Sequence, residues 1–72
     1  MQQKYLPKTF DGKLIHLIEE CSEVTKCVTK IQRFGINNSH PRRLISNREA
    51  LLNEMKDLVA AMNKVKKAML KE

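Results

Sequence analysis

Tryptophan is absent from this 72-residue chain, and the other aromatics amount to one Tyr and two Phe. The core must therefore be aliphatic and Met-based, and base-stacking platforms of the kind used on single-stranded nucleic acids are excluded. Cysteine is limited to Cys21 and Cys27. Six helical residues would hold them roughly 9 Å apart, beyond the ~7 Å limit of a disulfide. They read as small buried apolar residues suited to a reducing cytoplasm. His16 and His40 complete no CxxC or HxxxH spacing, so the usual zinc patterns are missing. No apolar run approaches the ~20 residues of a membrane span. The opening MQQKYLPKTF lacks the apolar segment of a signal peptide. A soluble, cytoplasmic protein with no membrane partner is expected.

Acid is also scarce. Eight Asp and Glu residues stand against 14 Lys and Arg, for a net charge of +6. Five of the eight are Glu19, Glu20, Glu23, Glu54 and Asp57; the others are Asp11, Glu49 and Glu72. A basic chain has gathered its acid into two short motifs. The positive remainder suits an anionic partner, whether a polyphosphate, a nucleic acid or an acidic protein.

The apolar pattern is helical throughout. Residues 1–10 read as an irregular lead-in, with Pro7 opposing helix and Thr9 or Asp11 available as a cap. A first helix is expected over 11–34, with the stripe Leu14, Leu17, Cys21, Val24, Val28, Ile31 in alternating steps of three and four. Ile15 and Ile18 widen it. Gly35 is placed for a left-handed C-cap, with Lys30 and Arg33 in the last turn. The loop spans 35–45, where Pro41, Arg42 and Arg43 make a basic corner. A second helix is expected over 46–70. It opens on a Ser46-to-Glu49 capping box and carries the stripe Leu51, Met55, Leu58, Met62, Val65, Met69, widened by Leu52 and Val59.

The fold class is thus all-α: one domain of two long antiparallel helices forming a hairpin. A chain this short buries only about 60% of its unfolded surface, and the hairpin alone would expose part of each widened stripe. Oligomerisation into a four-helix-bundle-like core, as a homodimer or higher assembly, is expected.

The acids flank these stripes. Glu20 precedes Cys21 and Glu23 precedes Val24; Glu54 precedes Met55 and Asp57 precedes Leu58. Residues three apart on a helix are surface neighbours, so each pair aims two carboxylates the same way. If the helices pack antiparallel, the pairs can meet around a hard divalent cation such as Mg²⁺. The plainer reading is a solvated face paired with Lys26, Lys30 and Lys56, since charged helix faces are common. Against it, Glu19, Glu20 and Glu23 crowd three negative charges into one turn.

The ordered set of motifs resembles the MazG-like nucleotide pyrophosphohydrolases of the all-α NTP pyrophosphatase superfamily, most closely their small phage-encoded members. Their EExxE is matched by Glu19-Glu20-Cys21-Ser22-Glu23, and their ExxD by Glu54-Met55-Lys56-Asp57. A KxxRFG segment is matched by Lys30 to Gly35, and an Asn shortly before ExxD by Asn47. The likeness covers about Gly12 to Met62. It implies Mg²⁺-dependent cleavage of a nucleoside triphosphate to the monophosphate and pyrophosphate, with Mn²⁺ as an alternative ion, in the host cytoplasm if the chain is phage-encoded. On this resemblance Glu20, Glu23, Glu54 and Asp57 hold the metal. Glu19 and Glu20 are the catalytic carboxylates, with Glu19 the outer one that either orients water or assists a second ion. Lys30, Arg33 and Asn47 bind substrate; Arg meets phosphate oxygens with a planar fork.

Family members usually continue with further helical segments, where this chain has only Lys64 to Glu72. The competing expectation is therefore a reduced MazG-like helical module that binds nucleotide or a host protein without turnover. Nucleic-acid binding through Arg42, Arg43, Lys64, Lys66 and Lys67 is disfavoured, because no helix-turn-helix pattern accompanies the charge.

Overall fold

The computed structural model describes residues 8–39 and 45–71. They form two packed helices, α1 (Phe10–Phe34) and α2 (Asn47–Leu70), with no strand among the described residues. Each expected helix is met within a residue at either end. Among the described residues no helix is long and apolar enough to cross a membrane. The expected basic corner at Pro41, Arg42 and Arg43 and the lead-in through residue 7 lie outside the described residues.

Local chemistry sets the helix ends. Thr9 holds an extended backbone, and its side chain accepts a hydrogen bond from the Gly12 N–H at 3.0 Å. Of the two caps expected for α1, Thr9 is the one used. Ser46 does the same for α2, its Oγ accepting from the Glu49 N–H at 3.2 Å. Each cap satisfies one of the four donors that a helix start leaves without an intrahelical partner. Gly35 ends α1 at φ 94°, ψ 153°, its N–H donating to Ile31 O at 2.8 Å. The expected left-handed cap is thus corrected. The φ is positive, but the ψ is extended, a region that is essentially glycine-only.

The chain beyond Gly35 then clasps the start of α2. The Asn47 and Arg48 N–H groups donate to Asn38 O at 2.7 Å and Ile36 O at 2.9 Å. The Asn47 side-chain amide donates to Gly35 O at 2.9 Å, and Arg48 Nη2 to Asn37 Oδ1 at 3.3 Å. These bonds hold the two helices antiparallel at the loop end.

The seam between the helices is not the one that the apolar pattern proposes. On α1 the buried residues are Gly12, His16, Glu20 and Cys27; on α2 they are Ala50, Ala61 and Val65. The expected stripes sit about a quarter turn away on each helix, at 100° per residue. Their inner members, Leu17, Val24, Ile31, Leu51 and Leu58, are half-buried. Their outer members, Leu14, Cys21, Val28, Met55, Met62 and Met69, are exposed. Cys27 is buried as expected, whereas Cys21 is not. The physical reason is steric: glycine, cysteine and alanine along the seam let the helices approach closely, and the larger aliphatic side chains are displaced to one side.

Candidate metal centre

Rotation of the seam brings acid into it. Glu20 is 4% exposed, and its carboxylate meets α2 where Glu54 and Asp57 stand half-buried. One carboxylate oxygen from each of the three lies within 4.8 Å of the others. Oxygens bound to one octahedral Mg²⁺ are about 3 to 4.2 Å apart, given bonds near 2.1 Å. Small side-chain rotations would therefore bring all three onto one ion. The donor set is all oxygen and anionic, which suits a hard divalent cation over a thiophilic one. Two rigid helices, not a loop, present the three groups.

Glu23 stands apart from this cluster. It is partly exposed and pairs with Lys26 at 3.6 Å, a surface contact between side chains 46% and 69% exposed. The solvated-face reading therefore describes Glu23, while Glu20, Glu54 and Asp57 form the convergent set. Glu19 is exposed on the same side of α1 as Glu23, a turn position away from the seam.

His16, which completes no zinc spacing in the sequence, joins the site. It lies one turn before Glu20, is 7% exposed, and holds Nε2 3.3 Å from Glu20 Oε2. Neither ring nitrogen makes a hydrogen bond of good geometry. The contact braces the buried carboxylate from its own helix. The i, i+4 spacing of His16 and Glu20 was the signal available for it.

The expected substrate residues lie along the same hairpin, all on the loop side of the carboxylates. Lys30 is half-buried and ten residues beyond Glu20, roughly 15 Å along the helix. Arg33 is exposed, its guanidinium carbon 5.3 Å from the Phe34 ring centroid. Asn47 is seven residues before Glu54, roughly 10 Å along α2, with its amide engaged by Gly35 O. The helical register also puts Lys64, half-buried, on the same edge as Lys30, seven residues past Asp57. Basic side chains thus stand to either side of the carboxylates along this edge of the hairpin.

In comparison with known proteins, no family model, no curated protein and no solved structure matches this chain.

Proposed function

We propose that this chain is a small MazG-like nucleoside triphosphate pyrophosphohydrolase that works with Mg²⁺ or Mn²⁺. One observation carries the reading: Glu20, Glu54 and Asp57, from two helices, offer carboxylate oxygens within 4.8 Å of one another. Spaced acids on separate helices converge in this way only at the right helix rotation. The three residues would hold the ion, and Glu23 would act from the rim.

The ion, when bound, supplies neutralisation of phosphate charge and activation of a water. The chain's own residues supply the rest. Lys30 and Lys64, on the edge where Glu19 and Glu23 lie, would meet the phosphate oxygens of a polyphosphate laid along that edge. Glu19, solvent-facing on that edge, would orient the attacking water and take its proton. Water then adds to the α-phosphorus, the bond to the bridging oxygen breaks, and pyrophosphate leaves. His16 would keep the Glu20 carboxylate aimed.

The reduced, binding-only module is the second reading, and it has support of its own. Glu23, Arg33 and Asn47 are each engaged within the chain, with Lys26, Phe34 and Gly35 respectively.

Thermal melting with and without 5–10 mM Mg²⁺ or Mn²⁺ (about 100 Kd for a ~0.1 mM site), beside a pyrophosphate-release assay, separates the readings. The enzyme requires a metal-dependent rise in Tm that Glu54→Gln abolishes, together with pyrophosphate release from a nucleoside triphosphate that the same variant loses. A rise without release selects the module. No rise in either protein removes the metal centre.

A further inference from the structure

Two polar side chains are buried among the described residues, Glu20 and His16. Glu20 has its place in the carboxylate cluster, whereas His16 so far only braces it. The His16 side chain is 9% exposed, and among the described residues neither of its ring nitrogens makes a hydrogen bond. A neutral imidazole always carries one N–H and one lone pair. Leaving either of them buried and unmet carries the full cost of taking it out of water. Such a group marks a site that takes a ligand from outside the chain. Its contact with Glu20 also has the form of shared coordination. Nε2 stands 3.3 Å from Glu20 Oε2, yet outside hydrogen-bond geometry, so the oxygen lies off the axis along which the nitrogen donates or accepts. Neighbouring ligands on one octahedral ion stand in this relation. They are about 3 Å apart for bonds near 2.1 Å, and each is aimed at the ion and not at the other. The i, i+4 spacing is that of helical HExxH sites, where two side chains one turn apart hold one ion.

We infer that His16 is itself a ligand, through Nε2, of the ion held by Glu20, Glu54 and Asp57, and that the site takes a transition-metal ion such as Mn²⁺ or Co²⁺ in preference to Mg²⁺. The inference rests on the metal centre proposed above and names the class of ion that it holds. The three carboxylate oxygens within 4.8 Å of one another form the anionic side of the site, and His16 joins them through Glu20. Glu23, expected as the fourth ligand, stands at the surface against Lys26, and His16 takes the fourth place. Charge favours that exchange. Three carboxylates already exceed the charge of a divalent ion by one, and a neutral imidazole adds a donor atom without adding charge. The imidazole also discriminates among ions. Mg²⁺ takes oxygen ligands and dehydrates reluctantly. Imidazole suits the first-row transition metals, whose affinity for nitrogen and oxygen sites rises from Mn²⁺ to Co²⁺. One helix, α1, presents both His16 and Glu20, so the two are placed side by side before an ion arrives.

Pulsed electron paramagnetic resonance on the full chain loaded with Mn²⁺ alone tests this without substrate or turnover. A directly bound imidazole imprints its nitrogen on the Mn²⁺ signal, and isotope labelling of histidine nitrogen should change that imprint in the wild type. His16 and His40 are the two histidines of the chain. The imprint should survive His40→Gln and vanish in His16→Gln. Isothermal titration gives the second reading: His16→Gln should weaken Co²⁺ binding about tenfold or more and change Mg²⁺ binding less than about threefold. Circular dichroism establishes that His16→Gln is folded; should it not be, labelled wild type and His40→Gln decide the matter between them. Mn²⁺ bound with no nitrogen imprint overturns this inference and leaves the carboxylate centre standing. So does an imprint that His40→Gln removes. Equal losses of Co²⁺ and Mg²⁺ affinity in folded His16→Gln overturn it too, and return His16 to bracing Glu20. If the wild type binds none of the three ions, the metal centre itself falls, and His16 as its ligand falls with it.

Discussion

Among the four carboxylates expected to hold the metal, the structure separates three from one, and this difference can be measured. Glu20, Glu54 and Asp57 share a point in the seam, while Glu23 stands at the surface against Lys26. A half-buried carboxylate directly on an ion contributes a charge-assisted contact of about 1.5–3 kcal/mol. An exposed charge in high dielectric contributes about 0–1 kcal/mol. Glu54→Gln is therefore expected to weaken Mn²⁺ binding at least tenfold, and Glu23→Gln less than about fivefold. Isothermal titration with Mn²⁺ alone reads both, with no substrate in the cell. Equal losses would mean that Glu23 swings into the cluster when an ion arrives. The acids themselves were legible in the sequence, because a three-residue spacing on a helix fixes two side chains on one face. Which of them converge was not legible, because that depends on the rotation of one helix against the other, and a spacing within one helix carries no such information.

At the scale of the elements, the helices were legible to within a residue because their ends are written in local chemistry. Thr9 and Ser46 accept from the third following N–H, and Gly35 takes a positive φ. The rotation of each helix was misread, again for a physical reason. An apolar stripe is the sum of every surface that the residues favour burying, including surface turned away from the partner helix. The actual seam runs through Cys27, Ala50 and Ala61, residues whose own apolar signal is weak. The clasp between the helices also went unseen, since backbone carbonyls leave no mark in a sequence. It gives Asn47 a structural task at the α2 start, which competes with its assignment to substrate. Asn47→Ala removes a partly exposed hydrogen bond worth about 1 kcal/mol. The expected result is a loss of that size in urea unfolding with KM for a nucleoside triphosphate changed less than twofold. A rise in KM at unchanged stability would return Asn47 to the substrate.

For the molecule as a whole, packing and the candidate site share one seam, so they cannot vary independently. Ala61 is 1% exposed, the most buried of the apolar core, and sits one turn past Asp57 on α2. A side chain this small and this buried lets the helices stand close, and on that argument the helix spacing keeps Glu20 within reach of Glu54 and Asp57, whose oxygens lie within 4.8 Å of one another. Ala61→Leu adds three carbons to a contact with no room for them. Overpacking of this kind costs about 1–3 kcal/mol, and here the helices can yield by parting along the seam. Two losses are then expected together: a lower midpoint in denaturant, and Mn²⁺ binding weakened tenfold or more although every ligand is intact. The opposite edge supplies the control. Val59→Leu adds a single carbon to a side chain 54% exposed in the hairpin; it should leave metal binding within twofold, because it does not touch the distance between α1 and α2. If Ala61→Leu lowers stability and leaves Mn²⁺ affinity unchanged, the carboxylates follow their own rotamers and not the helix spacing. The site would then be a flexible cluster instead of one built by the packing of two rigid helices.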